Sequence, residues 1–242
     1  MIERPSPNFN ARGSVSIDML VLHYTGMPDC AGALGWLCGP ASKVSAHYLI
    51  DQDGATYAMV PEERRAWHAG VASWHGEDNI NSRSIGIELV NPGHELGYQE
   101  FPEAQMAALE SLAGGIVRRH DIAAPRVLGH SDVAPTRKQD PGERFDWRRL
   151  AAVGVGLWPG SAPEPEPGDD LAAGDEGAGV AVWQSHLAAF GYGVPGHGRY
   201  DDATRAVVAA FQRHFRPGHV DGVADAETRG VLTHLLNMFG DS

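Results

Sequence analysis

Ile17-Asp18-Met19-Leu20-Val21-Leu22-His23 is the stretch on which the fold turns. Met19 to Leu22 leave no polar face, so the segment reads as a buried strand that closes on an imidazole. Tyr24-Thr25-Gly26 follows, so that imidazole is presented where a loop begins. Working outward, Ser84 to Val90 alternates, with Ile85, Ile87 and Leu89 on one face and Gly86, Glu88 and Val90 on the other. Ala46–Ile50 and Ala55–Val60 read as two strands joined by the turn Asp51-Gln52-Asp53-Gly54. Pro102 suits the first position of a helix reaching about His120, with Met106, Leu109, Ala113, Ile116 and Val117 on one stripe. Val127-Leu128 is a short strand ahead of Gly129-His130. Interleaved strands and helices predict an α/β domain with a mixed β-sheet flanked by helices.

The composition changes beyond Trp158. Residues 159–170 read Pro-Gly-Ser-Ala-Pro-Glu-Pro-Glu-Pro-Gly-Asp-Asp, with no large apolar side chain, and predict an extended, solvated spacer. The chain thus divides into 1–158, a Pro/acidic linker at 159–170, and 171–242. In the last part Val180, Trp183, Leu187 and Phe190 fall at helical spacing and Gly191 stops the run. Two similar segments follow, Asp201-Asp-Ala-Thr-Arg-Ala-Val-Val and Asp225-Ala-Glu-Thr-Arg-Gly-Val-Leu, each with an Asp placed to cap a helix. Three short helices make a small, independently folding domain.

Of the 242 residues, 19 are Lys or Arg and 31 are Asp or Glu, a net charge of −12 without a basic cluster, which argues against nucleic-acid binding. No apolar run approaches the ~18 residues of a spanning helix, so no integral membrane segment is expected. The start, Met-Ile-Glu-Arg-Pro-Ser-Pro-Asn, lacks a signal-peptide pattern. Cys30 and Cys38 alone make neither a disulfide scaffold nor a four-cysteine zinc site. They flank a short helical stretch and read as buried reduced thiols, with a disulfide the alternative.

Twelve histidines are many for this length. His23 ends a strand, and His130 follows one in Gly129-His130-Ser131-Asp132. Asp140 comes ten residues later, made extended by Pro141. Two imidazoles and one carboxylate suit a catalytic zinc with its fourth position open to water, whose pKa the metal lowers to about 7. A lone histidine at a strand end is more often structural, and only the fold can join positions so far apart. Glu88, on the polar strand face, is the candidate proton carrier against the bland reading of a solvated glutamate. Lys138, two residues before Asp140, is either an oxyanion partner or an exposed loop lysine.

Six motifs, in order, resemble the zinc-dependent N-acetylmuramoyl-L-alanine amidases of the type 2 family, related in fold to peptidoglycan recognition proteins. They are His23-Tyr24-Thr25, Ser45-Ala46-His47-Tyr48-Leu49, Ala66-Trp67-His68-Ala69-Gly70, Ser84-Ile85-Gly86-Ile87-Glu88-Leu89, Gly129-His130-Ser131-Asp132-Val133-Ala134-Pro135 and Arg137-Lys138-Gln139-Asp140-Pro141-Gly142. The resemblance covers roughly residues 15–158. It implies Zn2+ held by His23, His130 and Asp140, Glu88 as general base and Lys138 as stabiliser of the tetrahedral intermediate. The reaction implied is hydrolysis of the amide between N-acetylmuramic acid, or its 1,6-anhydro form, and L-alanine of the stem peptide, in peptidoglycan or muropeptides. His47, Trp67 and His68 match positions near the family's cleft and are candidate substrate-binding or supporting residues, and Asn91 is a candidate substrate contact against the bland reading of a loop asparagine. His75, His94 and His120 match no motif, and the spacings of His186, His197, His214, His219 and His234 suggest no metal set.

Phe190-Gly191-Tyr192-Gly193, the Asp201-to-Gln212 segment and Val220-Asp221-Gly222-Val223 resemble the three-helix peptidoglycan-binding domain. Phe190 stands where that family has leucine, and His-Phe-Arg-Pro after Gln212 also departs from it. Such a domain would raise the local substrate concentration. The missing signal pattern points to the cytoplasm, while a wall-binding domain points to the envelope. The rival reading is a recognition protein that binds the same ligand without cutting it. Relatives of that kind typically lack a metal ligand, whereas here all three are present.

Overall fold

A computed structural model describes residues 1–160, 164–166 and 168–238. Its strands and helices in chain order are β1 (Ile2–Glu3), β2 (Phe9–Ala11), β3 (Met19–Tyr24), α1 (Cys30–Leu37), β4 (Tyr48–Ile50), β5 (Thr56–Ala58), β6 (Arg64–Ala66), α2 (Ile80–Arg83) and β7 (Ser84–Leu89). Then come α3 (Gly93–Leu96), α4 (Glu103–His120), β8 (Val127–Gly129), α5 (His130–Val133) and α6 (Trp147–Ala152). The C-terminal part carries α7 (Ala178–Phe190), α8 (Asp202–Phe215) and α9 (Ala226–Asn237).

The mixed sheet runs β1-β5-β4-β7-β3-β8, with β4 and β5 antiparallel as the expected hairpin and the other pairs parallel. Met19–Leu22 of β3 is apolar without interruption because the strand is interior to the sheet, with β7 and β8 on its two sides and packed layers above and below. On one face Leu20, Leu22, Ile85, Ile87 and Leu89 meet the Met106, Leu109, Ala113 and Ile116 stripe of α4. Pro102 lies one residue outside α4, in extended conformation. The parallel register sets His23 beside Glu88, so both reach the same end of the sheet. Cys30 and Cys38 are free thiols at opposite ends of α1, too far apart along one helix to join.

Asp201 and Asp225 cap α8 and α9 as expected, accepting from the Thr204 and Thr228 amides at 2.9 and 2.8 Å. The described part of the spacer is largely exposed, as expected, but is tied to α9 by hydrogen bonds, and residues 161–163 and 167 lie outside the described residues. The Glu166 amide donates to the Ala226 carbonyl at 2.9 Å, and Arg229 donates to the carbonyls of Glu166, Gly168 and Asp169. The helical part is not merely tethered. One apolar cluster joins Met19, Val21, Trp74 and Val133 to Phe190, Tyr192, Phe211 and Leu232. Gly191 allows it: at φ +134°, its missing Cβ would lie 2.6 Å from the Trp74 ring.

Candidate active site

β3 delivers His23, the start of α5 delivers His130, and the loop after α5 delivers Asp140, all buried. The two Nδ1 atoms lie 2.9 Å apart, and each is 3.1 Å from Asp140 Oδ2. Their tautomers follow from the neighbours. The Ser84 hydroxyl donates to the Ile80 carbonyl (2.6 Å) and so accepts from His68 Nε2 (3.2 Å). His68 Nδ1 is then bare and accepts from His23 Nε2 at 3.0 Å, which leaves His23 Nδ1 without a proton. His130 Nε2 donates to the Ala69 carbonyl at 3.0 Å, so His130 Nδ1 is bare as well. Three lone-pair acceptors therefore face one point with no hydrogen between them. Such a cluster is repulsive unless a cation sits among them, and the N, N, O donor set suits zinc.

The electrostatics agree. Burial, then the neighbouring His130, pushes His23 down to about 4, keeping it a neutral ligand. The adjacent imidazoles hold Asp140 far below the usual carboxylate range despite its burial. Glu88 moves the other way: burial, and then the charge of Asp140, raises it well above its ordinary value. Among the described residues Glu88 Oε2 has no hydrogen-bond partner, and it has no accessible surface, while the side chain as a whole is only partly buried and lines the cleft. An unpartnered carboxylate oxygen beside a metal site is what a proton carrier requires.

The cleft has a volume of about 350 Å³ and also includes Lys138, Trp67 and His68. Trp67 is fixed through its indole N–H to Asn10 Oδ1 (2.9 Å). His68 packs on Gly86, where a Cβ would fall 2.5 Å from the ring, and supports His23 from the cleft wall. Two candidates do not reach the cleft. His47 is fully buried beneath the sheet end, with Nδ1 accepting from the Gly86 amide (2.9 Å) and Nε2 on the Arg64 carbonyl (3.1 Å). Asn91 is fully buried and staples its own loop, accepting from the Gly93 amide (3.0 Å) and donating to the Gln99 carbonyl (2.9 Å). Both are held by backbone groups that no spacing reveals.

Other residues escaped the sequence reading. Trp36, 52% exposed, lines the cleft. His94, which matched no motif, lines it too and links the Tyr24 hydroxyl (2.8 Å) to Glu143 (3.0 Å). Asp132, beside His130 in chain, accepts from the Gly129 amide (2.7 Å), the Tyr192 hydroxyl (2.6 Å) and His214 Nδ1 (2.8 Å). His214 stacks on Trp147 with centroids 3.7 Å apart. The C-terminal helices thus grip the turn that carries a metal-site histidine.

A buried acceptor triad at a parallel-sheet end, with a free carboxylate alongside and an open cleft above, defines a metal-dependent hydrolase site. The family model described as N-acetylmuramoyl-L-alanine amidase matches residues 13–143, and that of a peptidoglycan binding domain matches residues 176–232. The chain belongs to the N-acetylmuramoyl-L-alanine amidase family. It is 37% identical over 250 residues to the N-acetylmuramoyl-L-alanine amidase AmiD of Escherichia coli, covering 93% of this chain and 84% of AmiD. It is 42% identical over 167 residues to the 1,6-anhydro-N-acetylmuramyl-L-alanine amidase AmpD of the same organism, covering 62% of this chain and 89% of AmpD. Among solved structures, AmiD in complex with the substrate anhydro-N-acetylmuramic acid-L-Ala-D-γ-Glu-L-Lys superposes with a TM-score of 0.77 at 35% identity, covering 96% of this chain and 94% of that one. AmpDh3 of Pseudomonas aeruginosa gives 0.75 at 32% identity, covering 98% and 96%.

Proposed function

We propose that this chain is a zinc amidase that hydrolyses the bond between N-acetylmuramic acid, or its 1,6-anhydro form, and L-alanine of the stem peptide. The catalytic unit is residues 1–158, and residues 171–242 form a peptidoglycan-binding unit joined by 159–170. The observation that carries this reading is the convergence of the bare His23 and His130 Nδ1 atoms with Asp140 Oδ2. Zinc bound there supplies Lewis acidity toward the scissile carbonyl and lowers the pKa of water to about 7.

The remaining steps belong to the chain. Glu88 Oε2, unpartnered and beside His23 in register, takes the proton of the attacking water and returns it to the leaving amine of L-alanine. Lys138, whose ammonium has no hydrogen-bond partner among the described residues and lies in the same cleft, stabilises the negative charge that develops on the carbonyl oxygen. Trp36 and Trp67 offer apolar walls to the sugar and lactyl group. His68 orients His23 from behind and is a supporting residue rather than a substrate contact.

The test is mass spectrometry of products from intact sacculi and from purified anhydro-muropeptides, with elemental analysis of the protein. Free stem peptide released in the absence but not the presence of a zinc chelator is expected. His130→Ala is expected to lose both metal and activity. Zinc retained in full by His130→Ala overturns the ligand set, and zinc bound without cleavage of either substrate favours the recognition protein.

A further inference from the structure

A second recess, of about 310 Å³, adjoins the catalytic cleft on the far side of Lys138. One wall is the loop Pro135–Gln139 that precedes Asp140, and the other is α8 of the C-terminal unit. Arg137, Lys138 and Gln139 line both spaces, so the recess lies directly across these side chains from the cleft. The recess is lined by four cationic residues, Arg137, Lys138, Arg205 and Arg213, and by no acidic one. In a chain of net charge −12 this is a local reversal of sign.

The cations are not equivalent. Arg137 donates to the carbonyls of Ala69 and Val71 and supplies charge but few free donors. On α8, Arg205 and Arg213 stand two turns apart on one face, and Ala206 and Ala209 keep the floor between them low. Arg205 is exposed, with Asp202 at 3.8 Å. Arg213 is the informative residue. Its side chain is only 15% exposed, yet its guanidinium makes no hydrogen bond among the described residues. The Nε has no accessible surface and no hydrogen-bond partner among the described residues, and Glu143, the carboxylate paired with it, is 3.9 Å away. Burial accordingly pushes the guanidinium below its usual pKa. A largely buried guanidinium without a hydrogen bond is costly, and the cost is relieved when an anion enters. The planar fork of arginine matches a carboxylate.

We propose that this recess is a carboxylate subsite for the stem peptide, in which Arg213, flanked by Arg205 and Lys138, makes the C-terminal unit part of the amidase's specificity. The inference rests on the amidase reading for the identity of the ligand. A γ-linked glutamate, such as the one in the substrate of the AmiD complex, keeps its α-carboxylate free. That group lies one residue beyond the scissile bond, and the peptide's terminal carboxylate is the other source of the same chemistry.

The experiment titrates the zinc-loaded full chain calorimetrically with the tripeptide L-Ala-D-γ-Glu-L-Lys, and with two forms amidated at one carboxylate or the other. Wild type is expected to bind the parent about tenfold more tightly than the form amidated at the subsite's carboxylate. Arg213→Gln is expected to lose this preference by weakening the parent alone, and Arg205→Gln, at an exposed position, to weaken it a fewfold. KM for muramyl tripeptide then rises in Arg213→Gln. Equal weakening of all three peptides by Arg213→Gln, or no change in any, overturns the subsite. Charge-selective binding without cleavage of any muramyl peptide keeps the subsite and removes the amidase reading. Cleavage without charge selectivity does the reverse.

Discussion

At the residue scale, Glu88 carries the largest conflict between stability and function. A carboxylate with one oxygen buried and unpartnered is destabilising at neutral pH, and burial keeps its pKa raised. Glu88→Gln removes that charge while keeping the shape. It is expected to lower kcat by about 10²-fold or more, leave zinc content unchanged and raise the thermal midpoint, all measurable on one preparation. The sign of the pH dependence follows from the same shift. A raised pKa means the base is protonated at a higher pH than an ordinary glutamate, so the acid limb of kcat/KM is expected to lie clearly above pH 4.5. An acid limb at or below that value removes Glu88 from the role. His23 predicts a second dependence, in the metal-free protein. Its folded pKa of about 4 lies below the unfolded value of 6.5, so in between the unfolded chain binds more protons. Urea stability of the metal-free protein is therefore expected to fall as pH drops from 6.5 toward 4, by about 1.4 kcal/mol per unit for this group.

At the element scale, the site is held by strand ends and short turns that support one another. β7 places Gly86 under the His68 ring and Glu88 beside His23, and Ser84 at its start fixes the His68 tautomer. The relay from Ile80 through Ser84 and His68 to His23 is expected to contribute about 10–100-fold to zinc affinity. His68→Ala should show that loss in a competition titration with a chelator, and an unchanged affinity would mean that His23 is oriented by packing alone. Much of this was legible in the sequence. The alternation of Ser84–Val90 put Gly86 and Glu88 on one face, and the Asp residues at 201 and 225 marked helix starts. The relay itself was not, because a tautomer is set by partners from separate elements.

At the scale of the whole molecule, the C-terminal helices are docked on the amidase fold. Trp74 packs edge-on against Tyr192 and Phe190, and Asp132 takes hydrogen bonds from Tyr192 and His214. A single cooperative thermal transition for the full chain is expected. Gly191→Val, which adds a side chain against Trp74 at a positive φ, is expected to cost about 1–3 kcal/mol and to separate the transition into two steps. Two independent transitions in the wild type would instead mean that the cluster contributes little to docking. No described helix is long and apolar enough to cross a membrane.

Read alone, the sequence determined the strand faces, the helix stops and caps and, through six ordered motifs, the residues proposed for the site. These properties are written locally, in spacings of two to four residues and in side chains that bond their own backbone. Only the tertiary structure decided that His47 and Asn91 turn away from the cleft, that Asp132 is shared with Tyr192 and His214, and that Arg213 faces a recess beside Lys138. His23 meets Asp140 across 117 positions, and His214 meets Asp132 across 82. Which side chains meet at such separations depends on how whole faces pack, and no local pattern encodes that.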